Sequence, residues 1–237
     1  MTAVTQSRDE LKALYGDEYV EKFKTQSPRR LGRLLPYLSL HPTDIVADFG
    51  CGNGMLLDLV GDRVRRYVGV DFSEPFIHAA RRGVNLRWPD AQFVCSSIVD
   101  FCSRRPNTFD VAFAMDFSEH VYDDEWLEIL RSVRLALRPS GRLYLHTPNA
   151  DFIVERMKAK NLILAPQFEH VAVRTTDENC RLLREAGFVV DRVRLIAHYK
   201  RVLSWVHALS VLPGVGRHFG ARVFIEARKQ RSQASPP

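Results

Sequence analysis

No run of about 18 consecutive apolar residues occurs in this 237-residue chain, so no membrane-spanning helix is expected. The first residues, Met1 to Glu10, also lack the charged-then-apolar order of a secretory leader. A soluble, cytoplasmic protein is the expectation. Cysteine is scarce: Cys51, Cys95, Cys102 and Cys180 show neither Cys-x-x-Cys spacing nor the density of a disulfide scaffold. They read as reduced thiols, with Cys51 a small loop residue rather than a nucleophile. Aromatic residues are not interleaved with the basic ones near the C-terminus, as a base-stacking surface would require, which disfavours nucleic acid as a partner.

What is present is enough to bury a sizeable core, with 46% hydrophobic residues. Strand-like and helix-like segments alternate without tandem repeats. That order predicts an α/β fold, a Rossmann-like doubly wound, mostly parallel seven-stranded sheet with helices on both faces and an antiparallel last strand. Residues 1–40 read as an N-terminal helical cap, and 41–237 as one domain with a helical insertion at 198–220 before the last strand. The net charge of +6 is uneven, because eleven basic and only three acidic residues lie from Arg181 onward. Such a face suits nucleic acid, an anionic membrane surface or an acidic substrate, or is simply a solvated rim.

The most informative stretch is Ile45-Val46-Ala47-Asp48-Phe49-Gly50-Cys51-Gly52-Asn53-Gly54-Met55, a short apolar strand running into three alternating glycines and a helix expected near Gly54. Glycine there lets bare backbone approach a ligand, and a helix N-terminus favours an anionic group such as a carboxylate. A dinucleotide fingerprint would need a glycine where Met55 stands, which disfavours a nicotinamide enzyme. The next strand, Tyr67 to Val70, ends in Asp71, placed to accept hydrogen bonds from both hydroxyls of a ribose.

Glycines and acid together resemble motif I and the following acidic position of class I S-adenosylmethionine (SAM) dependent methyltransferases. The resemblance continues in the fourth strand, Phe109 to Met115, and in Asp116-Phe117-Ser118-Glu119-His120-Val121, which is similar to the hexapeptide of small-molecule methyltransferases including the ubiquinone-pathway O-methyltransferases. It implies SAM as cofactor, with S-adenosylhomocysteine as product, and a small-molecule acceptor. The implied cofactor residues are Asp48, Gly50, Cys51, Gly52, Asn53, Gly54, Asp71, Phe72, Ser97, Ile98, Met115, Asp116 and Phe117. Ser97 departs from the family pattern, since an acid usually meets the adenine amino group there. In some relatives the acids and histidine of the hexapeptide are associated with a divalent metal. Asp116, Glu119 and His120 would suit Mg or Mn poorly, and zinc would prefer more nitrogen or sulfur, so no metal is expected. The amino-methyltransferase sequence Asn-Pro-Pro-Tyr is lacking, which again points away from nucleobases.

Candidate catalytic residues are His120 and Glu119, with His170 from the irregular segment 161–176; a histidine near neutral pH can act as a base or orient the acceptor, or merely pack the loop. Candidate acceptor contacts are Tyr15 and Tyr19 on the N-terminal helix, His146 and Asn149 after the fifth strand, and Glu169. The apolar element 198–212, flanked by Lys200 and Arg201, is expected to wall the acceptor pocket, meet a membrane surface, form a homodimer face or pack on the sheet. An RNA or protein methyltransferase using the basic face, and a SAM-binding protein without turnover, are the rival readings.

Overall fold

The computed structural model describes residues 16, 20, 29–83, 87–159, 171–199 and 204–230. Most of the expected N-terminal helix that carries Tyr15 and Tyr19, and residues 160–170, lie outside these. Seven strands form one sheet: β1 (Ile45–Phe49), β2 (Arg66–Asp71), β3 (Gln92–Cys95), β4 (Phe109–Met115), β5 (Leu137–Pro148), β6 (Phe188–Ile196) and β7 (Arg222–Lys229). Their spatial order is β3-β2-β1-β4-β5-β7-β6, with β7 antiparallel to both neighbours and the other pairings parallel. The expected sheet is therefore the one observed.

The connections carry helices α1 (Arg29–Gly32), α2 (Leu57–Val60), α3 (Glu74–Gly83), α4 (Ile98–Ser103), α5 (Asp123–Ala136), α6 (Ile153–Ala159) and α7 (Thr176–Glu185). Helix α7 forms where the sequence offers a capping box. The Thr175 side chain accepts from the Glu178 N–H, and the Glu178 carboxylate accepts from the Thr175 N–H. Helix α5 starts without such a box. Its N-cap is Tyr122, which has no side-chain cap bond, and the Asp123 carboxylate instead accepts from Arg174 at 2.8 Å.

Apolar side chains alternate to both faces of the sheet and build two cores. Phe49, Phe101, Phe109, Trp126, Leu130 and Leu145 lie in one, and Leu34, Val46, Ile77, Phe113, Tyr144 and Phe224 in the other. On the second face a column of rings runs Phe113, Tyr144, Phe224 and Tyr37 with centroids 5.6, 5.7 and 6.0 Å apart. The Tyr144 hydroxyl at its centre also accepts the Ser39 N–H at 3.0 Å, which ties the segment before β1 to the sheet. The stretch Arg138–Gly141 forms a bulge inside β5, because Phe109 pairs with Leu137 and Val111 with Arg142, and Ser140 takes φ 65°. Within the 198–220 insertion, Trp205–Val211 forms a 3-10 helix.

Candidate functional site

The carboxyl ends of β1, β2, β3, β4 and β5 open on one side of the sheet, at the crevice where strand order reverses. After β1, Gly50, Gly52 and Gly54 all have positive φ, so the chain makes consecutive tight turns and α2 starts only at Leu57, later than expected. Part of the glycine requirement is packing. A Cβ on Gly50 would lie 2.7 Å from the Phe117 ring, and one on Gly54 would lie 2.8 Å from Phe93. The loop after β1 is thus clamped between two phenylalanines, of which Phe117 belongs to the β4 hexapeptide.

Asp71 is buried at the end of β2 and organises the loop. Its Oδ2 accepts the Gly52 N–H and its Oδ1 the Ser73 N–H, each at 2.9 Å. A carboxylate offers about four lone-pair directions, and the Gly52, Ser73 and Phe72 N–H groups engage three of them, which leaves one for an outside donor. Burial raises its pKa, while backbone N–H bonds from Ser73, Gly52 and Phe72 act the other way. Asp48, at the end of β1, accepts from the Tyr67 hydroxyl at 2.5 Å. Burial pushes its pKa up to about 7, the Tyr67 bond opposes this, and the nearby Asp71 adds to it. Burial also pushes the Cys51 thiol well up, which keeps it protonated and unreactive. The loop therefore presents two carboxylates in a desolvated setting, together with the Asn53 Oδ1, which is buried without a hydrogen-bond partner. That donor and acceptor set fits a cationic aminoacyl nucleoside such as SAM. Phe72 is exposed beside Asp71, and Met115 and Ile98 are buried at the ends of β4 and α4. The Ser97 hydroxyl caps α4, accepting the Asp100 N–H and donating to the Asp100 carboxylate at 2.6 Å.

The hexapeptide after β4 is held by charges the sequence reading missed. Asp116 adopts φ 55°, a conformation Asp tolerates better than most residues. Its carboxylate pairs with Arg222, approaches His146 Nδ1 at 2.8 Å and lies 3.5 Å from Arg30. Burial alone would raise its pKa, but Arg222, His146 and Arg30 together hold it well below the usual carboxylate range. Buried Arg174 closes the same loop, donating to the Ser118 and Val121 carbonyls at 2.7 and 2.8 Å as well as to Asp123. Glu119 is buried and accepts from the Thr147 hydroxyl at 3.0 Å, whereas His120 is half-buried at the loop's outer end. Among the described residues no three His, Cys, Asp or Glu side chains converge as metal ligands.

Of the expected acceptor contacts, His146 is buried against Asp116. Asn149 spends both amide donors on the Arg217 and Gly220 carbonyls, at 3.1 and 2.9 Å, and its oxygen on the Asp151 N–H. Asn149 is thus a clamp on the segment before β7. Tyr15, Tyr19, Glu169 and His170 lie outside the described residues. Arg222 could have been suspected once β7 was placed antiparallel to β5, since that register sets it opposite Pro148 at the site. For Arg30 and Arg174 the sequence carries no such signal.

Comparison with known proteins agrees with this geometry. A family model described as a methyltransferase domain matches residues 23–193. The chain is 29% identical over 156 residues to the ubiquinone biosynthesis O-methyltransferase of Aeromonas salmonicida (strain A449), an alignment covering 61% of this chain and 63% of that protein. It is 28% identical over 189 residues to the Neisseria meningitidis protein of the same name (serogroup A / serotype 4A, strain DSM 15465 / Z2491), covering 75% and 76%. A SAM-dependent methyltransferase from Archaeoglobus fulgidus shares the fold with TM-score 0.65 at 18% identity, over 89% of this chain and 98% of that one. With the family model spanning both the β1 glycine loop and the β4 hexapeptide, the chain belongs to the SAM-dependent methyltransferase-domain family.

Proposed function

We propose that the protein transfers a methyl group from SAM to a hydroxyl of a small-molecule acceptor. The observation that carries this reading is the Asp116–Val121 loop, fixed by Arg174 at the carboxyl end of the strand beside β1 and similar in spelling to the small-molecule enzymes. The names of the Aeromonas and Neisseria relatives support hydroxyl acceptors. In this reading Asp71 takes a ribose hydroxyl, the Gly50–Gly54 turn the methionine half, Phe72 and Ile98 the adenine, and Met115 to Phe117 the edge nearest the acceptor. SAM supplies a methyl group already activated by a positively charged sulfur. The chain's own tasks are alignment and exclusion of water, and orientation alone is worth about 7–11 kcal/mol. His120 takes the acceptor's hydroxyl proton on a ring nitrogen, and Glu119 orients the loop through Thr147.

Residues 1–40 act as a cap on the domain 41–237, a view supported by Leu31, Leu34 and Leu38 packing on the second core and by Arg30 reaching Asp116. A cytoplasmic setting is supported by four free cysteines, and no described helix is long and apolar enough to cross a membrane. The test is turnover: the purified chain with SAM and a panel of phenols and catechols should yield S-adenosylhomocysteine. RNA or protein as the sole acceptor, or SAM binding without turnover across the panel, would replace this reading. His120→Ala should lower kcat by about 100-fold or more with little change in SAM affinity.

A further inference from the structure

Asp48 and Asp71 are both buried, yet among the described residues neither has a basic side chain as its ion-pair partner. The sequence from Asp48 to Val60 contains no Lys, Arg or His. Asp116 is the opposite case, facing Arg222, His146 and Arg30. Neighbouring carboxyl groups in a desolvated place keep their protons unless hydrogen bonds favour the charged form. For Asp71 the backbone supplies those bonds, from Gly52, Ser73 and Phe72. For Asp48 one side chain does.

That side chain is Tyr67. It pairs in register with Val46, which shares a face of β1 with Asp48, and its buried hydroxyl donates to Asp48 Oδ2 at 2.5 Å. A hydrogen bond to an ionised acceptor is about twice as strong as one between neutral groups. The ring is held in place by Phe93 of β3, with centroids 5.9 Å apart. The other groups around the pair bring no positive charge: Cys51 in the loop, Asp71 on β2, Asp58 on α2, and Phe113 of β4 in register with Asp48. The counter-charge is left to the ligand, and SAM carries it on its sulfonium and its ammonium group.

We propose that Tyr67 is a positioning residue for the methyl donor: by donating to Asp48 it keeps that carboxylate negatively charged at the foot of the Gly50–Gly54 turn, where it favours the cationic SAM. This concerns donor binding and does not depend on which acceptor is methylated. In Tyr67→Phe the Asp48 proton is held to higher pH, so the rise of SAM affinity with pH should move up by about one unit. Calorimetric Kd for SAM should then be about tenfold weaker than wild type near pH 6.5 and converge with it near pH 9, with S-adenosylhomocysteine affected less. In an Asp48→Asn background the same substitution should change SAM affinity by no more than about twofold. The wild-type protein offers a test that needs no variant. SAM binding near pH 7 should expel about half a proton, read from calorimetry in buffers of different ionisation enthalpy, and almost none near pH 9. A loss of affinity by the same factor at every pH, or one that persists in the Asp48→Asn background, would leave Tyr67 a packing role only and overturn the proposal. An unshifted profile in Tyr67→Phe, or no proton release near pH 7, would overturn it as well.

Discussion

Asp48 and Asp71 end adjacent strands, and burial raises both pKa values, that of Asp48 to about 7. A ligand carrying positive charge favours the ionised forms, so SAM affinity should rise as pH increases through this range. Calorimetric Kd values at pH 6 and pH 8 should differ for SAM and differ less for S-adenosylhomocysteine, which lacks the sulfonium charge. Asp48→Asn should flatten the SAM profile, and an unchanged profile in that variant would remove Asp48 from the linkage. Without ligand the same shift acts on folding in the other direction. Asp48 binds its proton more tightly folded than unfolded, so its contribution to stability falls as pH rises from about 4 to about 7. Asp71→Ala deletes the acceptor of the Gly52 N–H as well as the proposed ribose contact, and should weaken SAM binding by about 2 kcal/mol or more. Equal affinity in that variant would dismiss the ribose assignment.

At the scale of elements, the loop between β4 and α5 is preformed by ion pairs in addition to its own turn, in which the His120 and Val121 N–H groups donate to the Phe117 and Ser118 carbonyls. Asp116→Asn leaves Arg222 and Arg30 short of a counter-charge in a buried place, and should cost about 3–5 kcal/mol in denaturant unfolding. Because Asp116 is held ionised when folded, its contribution is present above the unfolded carboxylate pKa and is lost as pH falls through the depressed folded one. Arg174→Ala orphans two carbonyls and should destabilise by about 2–4 kcal/mol. It should also raise KM for the acceptor more than Kd for SAM, whereas parallel changes in the two would mean that Arg174 supports the fold alone. The strand here was legible in sequence: β4 begins at Phe109 and ends at Met115, as its apolar run predicts. The loop's fastenings were not, because Arg30, Arg174 and Arg222 lie 86, 58 and 106 positions from Asp116 and become its neighbours only through topology. The bulge at 138–141 is hidden in the sequence for a related reason. Pro139-Ser140-Gly141 spells a turn, and only the pairing of Leu137 with Phe109 shows that the strand continues through it.

Across the whole molecule, β7 decides whether there is one cooperative unit. It is the last strand in sequence yet lies inside the sheet, bonded to β5 on one side and β6 on the other, and Val223, Ile225 and Ala227 are fully buried in the first core. The same strand delivers Arg222 to Asp116 and Phe224 to the ring column, so cofactor side and sheet end are coupled through it. Its antiparallel sense was readable, since a short connection into the last strand suits an antiparallel insertion at the sheet's edge, but the expectation gave it no role at the site. Removing it opens β5 and β6 as bare edges and uncovers both cores. A chain ending at Gly220 should therefore lose its cooperative thermal transition and near-ultraviolet dichroism along with SAM binding, although all of the β1 loop, Asp71 and the Asp116–Val121 hexapeptide are still encoded in it. Retention of SAM binding by that truncated chain would show that β1 to β4 hold the cofactor site unaided. The paired substitution Val223→Asp, Ile225→Asp within the intact chain should reproduce the loss, because it buries two uncompensated carboxylates in the strand without shortening the sequence.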